Sequence, residues 1–292
     1  MKVSSAVSST GVNTNTDATA SWATASFSVA VYAYSVFSLV SWWFFLVPND
    51  FLPDAVAIVK LYSMDTATTV PSIWTASLQN MAAMCAFGFT HSIFARKSIK
   101  KWMALPMSVE RSFFCLQGAF FLQLIQMTWV EASDAANVWD LTNFPQMTTV
   151  ALTLFWMGSA VLLSATFALD HFHLFGVSQG FGLDLNGMLG LTPPKSESGL
   201  ATRWHYRIVA HPIMTGALKN LWATPIMTPC RLVLAMFLTS YIVGAVTRLE
   251  EPSIRQDLGG AYDEYLKKTP RFFPAVPYMV EVSVQTSGLK EE

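Results

Sequence analysis

Tyr206-Arg207-Ile208-Val209-Ala210-His211-Pro212-Ile213-Met214-Thr215-Gly216 opens the stretch that decides the fold. An apolar run follows it and ends in Arg248-Leu249-Glu250-Glu251. A His-Pro turn, a glycine about one turn later and a paired carboxylate thus sit on two adjoining membrane-length segments. Charged groups at membrane depth are costly and are kept for function. The pattern points to a membrane-embedded site for a charged small molecule.

The rest of the chain agrees with a membrane setting. Of 292 residues, 52% are apolar and 13% charged, against about 25% charged in a soluble domain. The mean hydropathy is +0.39. Residues 27–47, 73–94, 112–130 and 147–169 each supply roughly the 20 apolar residues that a helix needs to cross a bilayer. Residues 208–227 and 232–246 follow, separated by Thr228-Pro229-Cys230-Arg231. The first arm carries His211, Pro212, Lys219 and Asn220, which lipid does not tolerate, so the pair reads as a tight hairpin sheltered by protein. The expected fold is an all-α polytopic membrane helical bundle of five to six spans, the last two a helical hairpin. Residues 253–267 place Ile254, Leu258, Ala261, Tyr262 and Tyr265 at helical spacing, which predicts a cytosolic C-terminal amphipathic helix ended by Pro270 and Pro274.

Residues 1–26, rich in Ser, Thr and Ala, read as a disordered tail; residues 27–274 form the membrane domain and 275–292 a C-terminal tail. Loop charge sets the orientation. Residues 95–111 hold Arg96, Lys97, Lys100, Lys101 and Arg111 against Glu110 alone, whereas 48–72 and 131–146 are acidic on balance. The positive-inside rule puts 95–111 in the cytoplasm, and alternation puts the N-terminus, the 170–207 loop and the C-terminus there too.

Several classes drop out. A net charge of −1 argues against nucleic acid as a partner. Cys85, Cys115 and Cys230 show no CxxC spacing, so they read as small core residues rather than a disulfide framework or zinc site. Gly180-Phe181-Gly182 has neither a preceding strand nor a third fitting glycine, which discards a dinucleotide fingerprint. The long 170–207 loop, with five glycines, reads as functional.

The polar motifs suggest the following chemistry. Pro212 suits the first position of a helix, whose free N–H groups favour an anion. Gly216 lets a ligand or a helix approach closely. Of the Glu250-Glu251 pair, one carboxylate can pair with Arg248 and the other with a ligand cation; Pro252 is expected to break the helix there. Asp170-His171-Phe172-His173 reads as a polar rim or substrate wall, since His-x-His finds no third metal ligand nearby, and no metal is assigned. His91-Ser92 is either a proton acceptor or an interhelical hydrogen bond.

These residues carry a resemblance. Residues 206–274 resemble the isoprenylcysteine carboxyl methyltransferase and phospholipid N-methyltransferase superfamily, whose hallmark is a His-Pro-x-x-x-Gly turn followed by Glu-Glu and a Tyr-x-x-Tyr-x-x-x-x-Pro tail. Here the tail is Tyr262-Asp263-Glu264-Tyr265, closing at Pro270. Ala210 and Met214 stand where the motif carries Arg and Tyr. His91-Ser92-Ile93-Phe94-Ala95-Arg96, Glu110-Arg111-Ser112, His171-Phe172-His173-Leu174-Phe175-Gly176 and residues 221–228 make the chain similar to the membrane methanethiol S-methyltransferases in particular.

The resemblance implies S-adenosylmethionine as methyl donor, bound by His211, Pro212, Gly216, Glu250, Glu251 and Tyr262. It implies a small thiol as acceptor, methanethiol going to dimethyl sulfide. A small thiol needs a base or a cation to become thiolate; His91 and His173 are the candidates for the proton, Arg248 and Arg207 for the charge. Oligomeric state is left open. The alternatives are a methyltransferase acting on a prenylcysteine carboxylate or other lipid acceptor, a haem-containing membrane isomerase with His91 and His171 as axial ligands, and a non-enzymatic scaffold.

Overall fold

The computed structural model describes residues 20–53, 62–191, 202 and 204–274. Residues 1–19 of the expected N-terminal tail and the whole 275–292 tail lie outside the described residues. The chain is mostly helical, and each boundary has a local cause. Helix α1 (Trp22–Leu46) begins ahead of the expected residue 27 because Ser21 and Thr24 form a capping box. Strand β1 (Thr68–Val70) leads to α2 (Ile73–Phe94), started by the Ser72 hydroxyl accepting from the Trp74 N–H. Helix α3 (Lys97–Met103) ends on left-handed Ala104. Helix α4 (Met107–Thr128), strands β2 (Val130–Ala132) and β3 (Trp139–Asp140), and α5 (Pro145–Leu169) follow.

The expected irregular 170–207 loop instead contains three short helices, α6 (His171–Leu174), α7 (Val177–Phe181) and α8 (Leu185–Met188), set by the Asp170 and Asp184 side-chain caps and by left-handed Gly176 and Gly182. After a 3-10 turn at Trp204–Arg207, α9 (Pro212–Trp222), strand β4 (Ile226–Met227) and α10 (Pro229–Ala245) complete the bundle. The first arm of the expected hairpin is thus an 11-residue helix, about 16 Å long, continued as extended chain.

No break occurs at Pro252. The chain runs from α10 through a π-helical turn at Val246–Glu250 straight into α11 (Glu251–Leu258). Pro252 has no N–H, and its ring clashes with the carbonyl four residues back. The widened turn, closed by the Glu251 N–H on the Val246 carbonyl, accommodates both. The expected amphipathic helix is divided as well: Gly259 (φ 59°) separates α11 from α12 (Gly260–Lys268).

Among the described residues, three helical segments are long and apolar enough to cross a membrane: Trp22–Leu46, Pro145–Leu169 and Pro229–Leu258. Helix α1 packs on α4 along a polar seam, in which Ser38 donates to the Ala119 carbonyl (3.0 Å), Ser41 to Gln126 Oε1 (2.7 Å) and Ser112 to Ser28 (2.9 Å). Small hydroxyls let backbones approach while satisfying one another. Helix α2 lies against α4 and α10, and α9 against α5. At one end of the bundle β1 pairs with β2 in parallel and β3 with β4 antiparallel, above a core of Trp42, Phe45, Leu46, Trp129, Phe155, Leu221 and Leu234. There the buried Arg231 guanidinium donates to the Leu46 carbonyl. The opposite end gathers α3, α6, the start of α9 and the π-turn, and it carries the polar motifs. Cys85 departs from the core reading: it is exposed, while Cys230 is buried.

Candidate active site

His211 caps α9 and is 6% exposed. Its backbone is clamped from the C-terminal side: the Ala210 N–H donates to the Pro270 carbonyl (2.8 Å), and the His211 N–H to the Arg271 carbonyl (2.9 Å). The Thr215 hydroxyl donates to the Phe272 carbonyl (2.6 Å). The segment following α12 is therefore laced onto the first turn of α9. The His211 ring meets the Tyr262 hydroxyl at Nε2 (3.2 Å), Glu251 Oε1 at 3.4 Å and Glu250 Oε1 at Nδ1 (3.7 Å).

The two adjacent glutamates have different surroundings, because successive residues on a helix face different ways. Glu251 is 1% exposed. Arg271 holds it through paired bonds, Nε to Oε1 (2.8 Å) and Nη2 to Oε2 (3.0 Å), and Arg255 reaches Oε2 at 3.4 Å. The bond to Glu251 raises Arg271 further above its ordinary value. Such a bidentate pair is short and geometrically exacting, so Glu251 is committed to protein partners. Glu250 is half-exposed and lines a cavity of about 150 Å³ bounded by Leu169, Tyr206, Ala210, His211, Ile213, Met214, Ile254, Tyr262 and Tyr265.

The phenols of this cavity are donors. Burial, then the Glu251 and Glu250 carboxylates, push the Tyr262 hydroxyl far above its ordinary value. Burial and Glu250 do the same to Tyr206, whose carbonyl accepts from the Tyr265 hydroxyl. Pro212 offers no N–H, and those of Ile213 and Met214, two residues that line the cavity, have no intrahelical acceptor in the first turn. The cavity therefore combines one accessible carboxylate, three aromatic rings and a helix start. A cation can rest against the carboxylate and the ring faces, and an anion on the helix start.

The other expected residues fall elsewhere. Gly216 faces away from the cavity, toward α5: a Cβ there would meet the Gly158 carbonyl oxygen at 2.5 Å and Leu162 at 2.8 Å. Its missing side chain serves helix packing. Arg248 is exposed and forms no ion pair with either glutamate among the described residues; the partner of Glu251 is Arg271. Arg207 and His173 are exposed, and neither lines the cavity. His91 sits between α2 and α4, stacked on Phe87 (5.5 Å) and tilted against Phe114 (4.8 Å), with Nδ1 buried and unpartnered among the described residues. Its neighbour Ser92 meets the Tyr241 hydroxyl at 3.1 Å.

His171 is a packing hub. Its Nδ1 meets the Thr166 hydroxyl (2.7 Å), its Nε2 the Tyr32 hydroxyl (3.0 Å), and its ring stacks on Phe167 at 4.1 Å. With both nitrogens engaged it has none to offer an axial metal, which removes the ligand pair on which the haem reading stood. Sequence reasoning missed Arg271 and Tyr206. An arginine directly after Pro270 was the available signal for the first.

No family model and no solved structure matches the chain. Among known proteins it is similar to the methanethiol S-methyltransferase of Mycobacterium tuberculosis, 32% identical over 246 residues, 83% of this chain and 96% of that protein. It is also similar to that of Pseudomonas deceptionensis, 35% identical over 204 residues (69% and 74%), and that of Pseudomonas sp. (strain GM41(2012)), 32% identical over 245 residues (82% and 89%).

Proposed function

The chain belongs to the methanethiol S-methyltransferase family, and from that premise we propose that it methylates methanethiol to dimethyl sulfide in a membrane, with S-adenosylmethionine as donor. The observation that carries the siting of this chemistry is the half-exposed Glu250 carboxylate facing an aromatic cavity at the start of α9, beside buried His211.

The lining fits such a donor. When bound, S-adenosylmethionine supplies a methyl group on a positively charged sulfonium. Glu250 and the rings of Tyr206 and Tyr262 face the positive charge, and the N–H groups of Ile213 and Met214 receive a carboxylate. Leu169, Ile213, Met214 and Ile254 keep water out, which favours a reaction in which thiolate and sulfonium charges cancel. The Glu250–His211 contact takes the place of His91 and His173 as the route for the thiol proton, because it is on the wall. Glu251 and Arg271 act through His211: they fix its ring and the entry of α9, and so hold both sulfurs in line.

Six crossings complete the reading: α1, α2, α4, α5, the arm formed by α9 and β4, and α10, with both termini and the cavity on the cytoplasmic side. The α9–β4 arm reaches from the cavity to the sheet end because extended chain rises about 3.3 Å per residue. Non-helical backbone at that depth is tolerated where protein covers it. Membranes carrying the protein, given labelled S-adenosylmethionine and methanethiol, should release volatile labelled dimethyl sulfide. Donor binding without volatile product overturns the acceptor; no donor binding overturns the whole reading.

A further inference from the structure

A second cavity lies outside the site above. It is a groove of about 720 Å³ between α2, α3 and α10, walled by Cys85, Phe89, Phe237 and Tyr241 and opening at Arg96 and Ser98. Its walls are apolar except for the mutually bonded Ser92 and Tyr241 hydroxyls. From Cys85 to Arg96 the helix rises about 16 Å, the depth of one leaflet of a hydrocarbon core about 30 Å thick. The groove runs beside α10, part of a membrane-crossing segment.

Its mouth is positively charged in a selective way. Of the nearby cations, Lys97 pairs with Asp257 (3.0 Å), Lys100 with Glu110 (2.9 Å), and Arg111 donates to the Leu174 carbonyl (2.6 Å). Arg96 and Lys101 are exposed and form no ion pair among the described residues. Trp102, 81% exposed, stands beside them where an interfacial anchor belongs. An apolar channel one leaflet deep, ending in uncompensated cations at the headgroup level, has the charge and length of a single anionic phospholipid.

We propose that this groove binds one anionic glycerophospholipid of the cytoplasmic leaflet, an acyl chain lying between α2 and α10 and the phosphate on Arg96. The proposal is independent of methyl transfer. Native mass spectrometry of the full chain, released from detergent holding equimolar phosphatidylglycerol and phosphatidylcholine, tests it. Bound phosphatidylglycerol should exceed phosphatidylcholine by about five-fold, the effect of one cation near an anionic headgroup. Arg96→Ala, at an exposed position, should bring the ratio to near one. Cys85→Trp, filling the channel, should remove both lipids, while Lys97→Ala, already neutralised by Asp257, should change neither. Equal retention of the two lipids, or a ratio insensitive to Arg96→Ala, overturns the proposal. So does a dimer of the chain that Cys85→Trp abolishes, since the groove would then seat a second copy.

Discussion

Replacing Gly216 by alanine separates two roles that a glycine in a His-Pro-x-x-x-Gly pattern can play. The new Cβ would lie 2.5 Å from the Gly158 carbonyl oxygen and 2.8 Å from both Cβ and backbone N of Leu162. Relief to ordinary contact needs the helices to part by about 0.6–0.9 Å, an overpacking that costs roughly 1–3 kcal/mol. Two of the obstacles are backbone atoms of α5, which cannot swing away, so the upper part of that range applies. The same movement stretches without breaking the bonds of Asn220, which donates to the Phe155 carbonyl (2.9 Å) and the Ser159 hydroxyl (2.8 Å). Against this, alanine gains about 1 kcal/mol over glycine in a helix. The net loss is about 2 kcal/mol. Gly244→Ala is the control: it lies within α10 and a Cβ there meets nothing within 4 Å, so it should stabilise by about 0.4–1 kcal/mol. Thermal unfolding in detergent, followed by tryptophan emission, should show an apparent Tm lower by about 4–8 °C for the first variant and slightly higher for the second. An unchanged Tm for Gly216→Ala with weakened donor binding would refute the packing argument and restore Gly216 to the ligand.

Arg271→Ala removes the paired bonds of buried Glu251 and leaves it Arg255 and the His211 ring, each at 3.4 Å, and should destabilise by about 3 kcal/mol; adding Glu251→Gln should recover part of it, as seen by the same unfolding assay. Glu250→Gln, at a half-exposed position, should leave Tm unchanged and weaken S-adenosylmethionine binding about ten-fold by calorimetry, one lost charge-assisted contact of about 1.4 kcal/mol; unchanged affinity would remove Glu250 from the donor site. Burial, offset in part by Asp170, lowers the His171 pKa from 6.5. The unfolded chain then takes up the proton first, so the stability due to this group is complete above about pH 6.5 and is lost as pH falls toward the lower folded value. A Tm that stays level from pH 7.5 to 5 would contradict that neutral, doubly bonded ring.

The membrane class, the helical architecture and the association of His211 with the Glu pair were readable from the sequence. Low charge density and apolar runs of bilayer length leave few alternatives, and the helix start at Pro212 follows from the fixed φ of proline. Reading residue by residue failed where partners lie far apart in sequence. The distribution of Glu250 and Glu251 between cavity and ion pair was invisible, because it depends on Arg271 arriving from the far side of α12. The sequence left Gly216 open between a ligand and a helix approach, because nothing in a one-dimensional pattern places Gly158 opposite it. The helix expected to stop at Pro252 continued because a π-turn absorbed the missing donor, a backbone solution that propensity rules do not anticipate.

Composition and periodicity alone therefore decided that this chain folds as membrane helices with its polar motifs gathered at one end, since each helix satisfies its own backbone and needs no distant partner to do so. Only the tertiary structure decided which motif residues face the cavity. Burying a charge such as that of Glu251 is tolerable solely when a counter-charge meets it, and that meeting is made by packing between segments the sequence keeps apart.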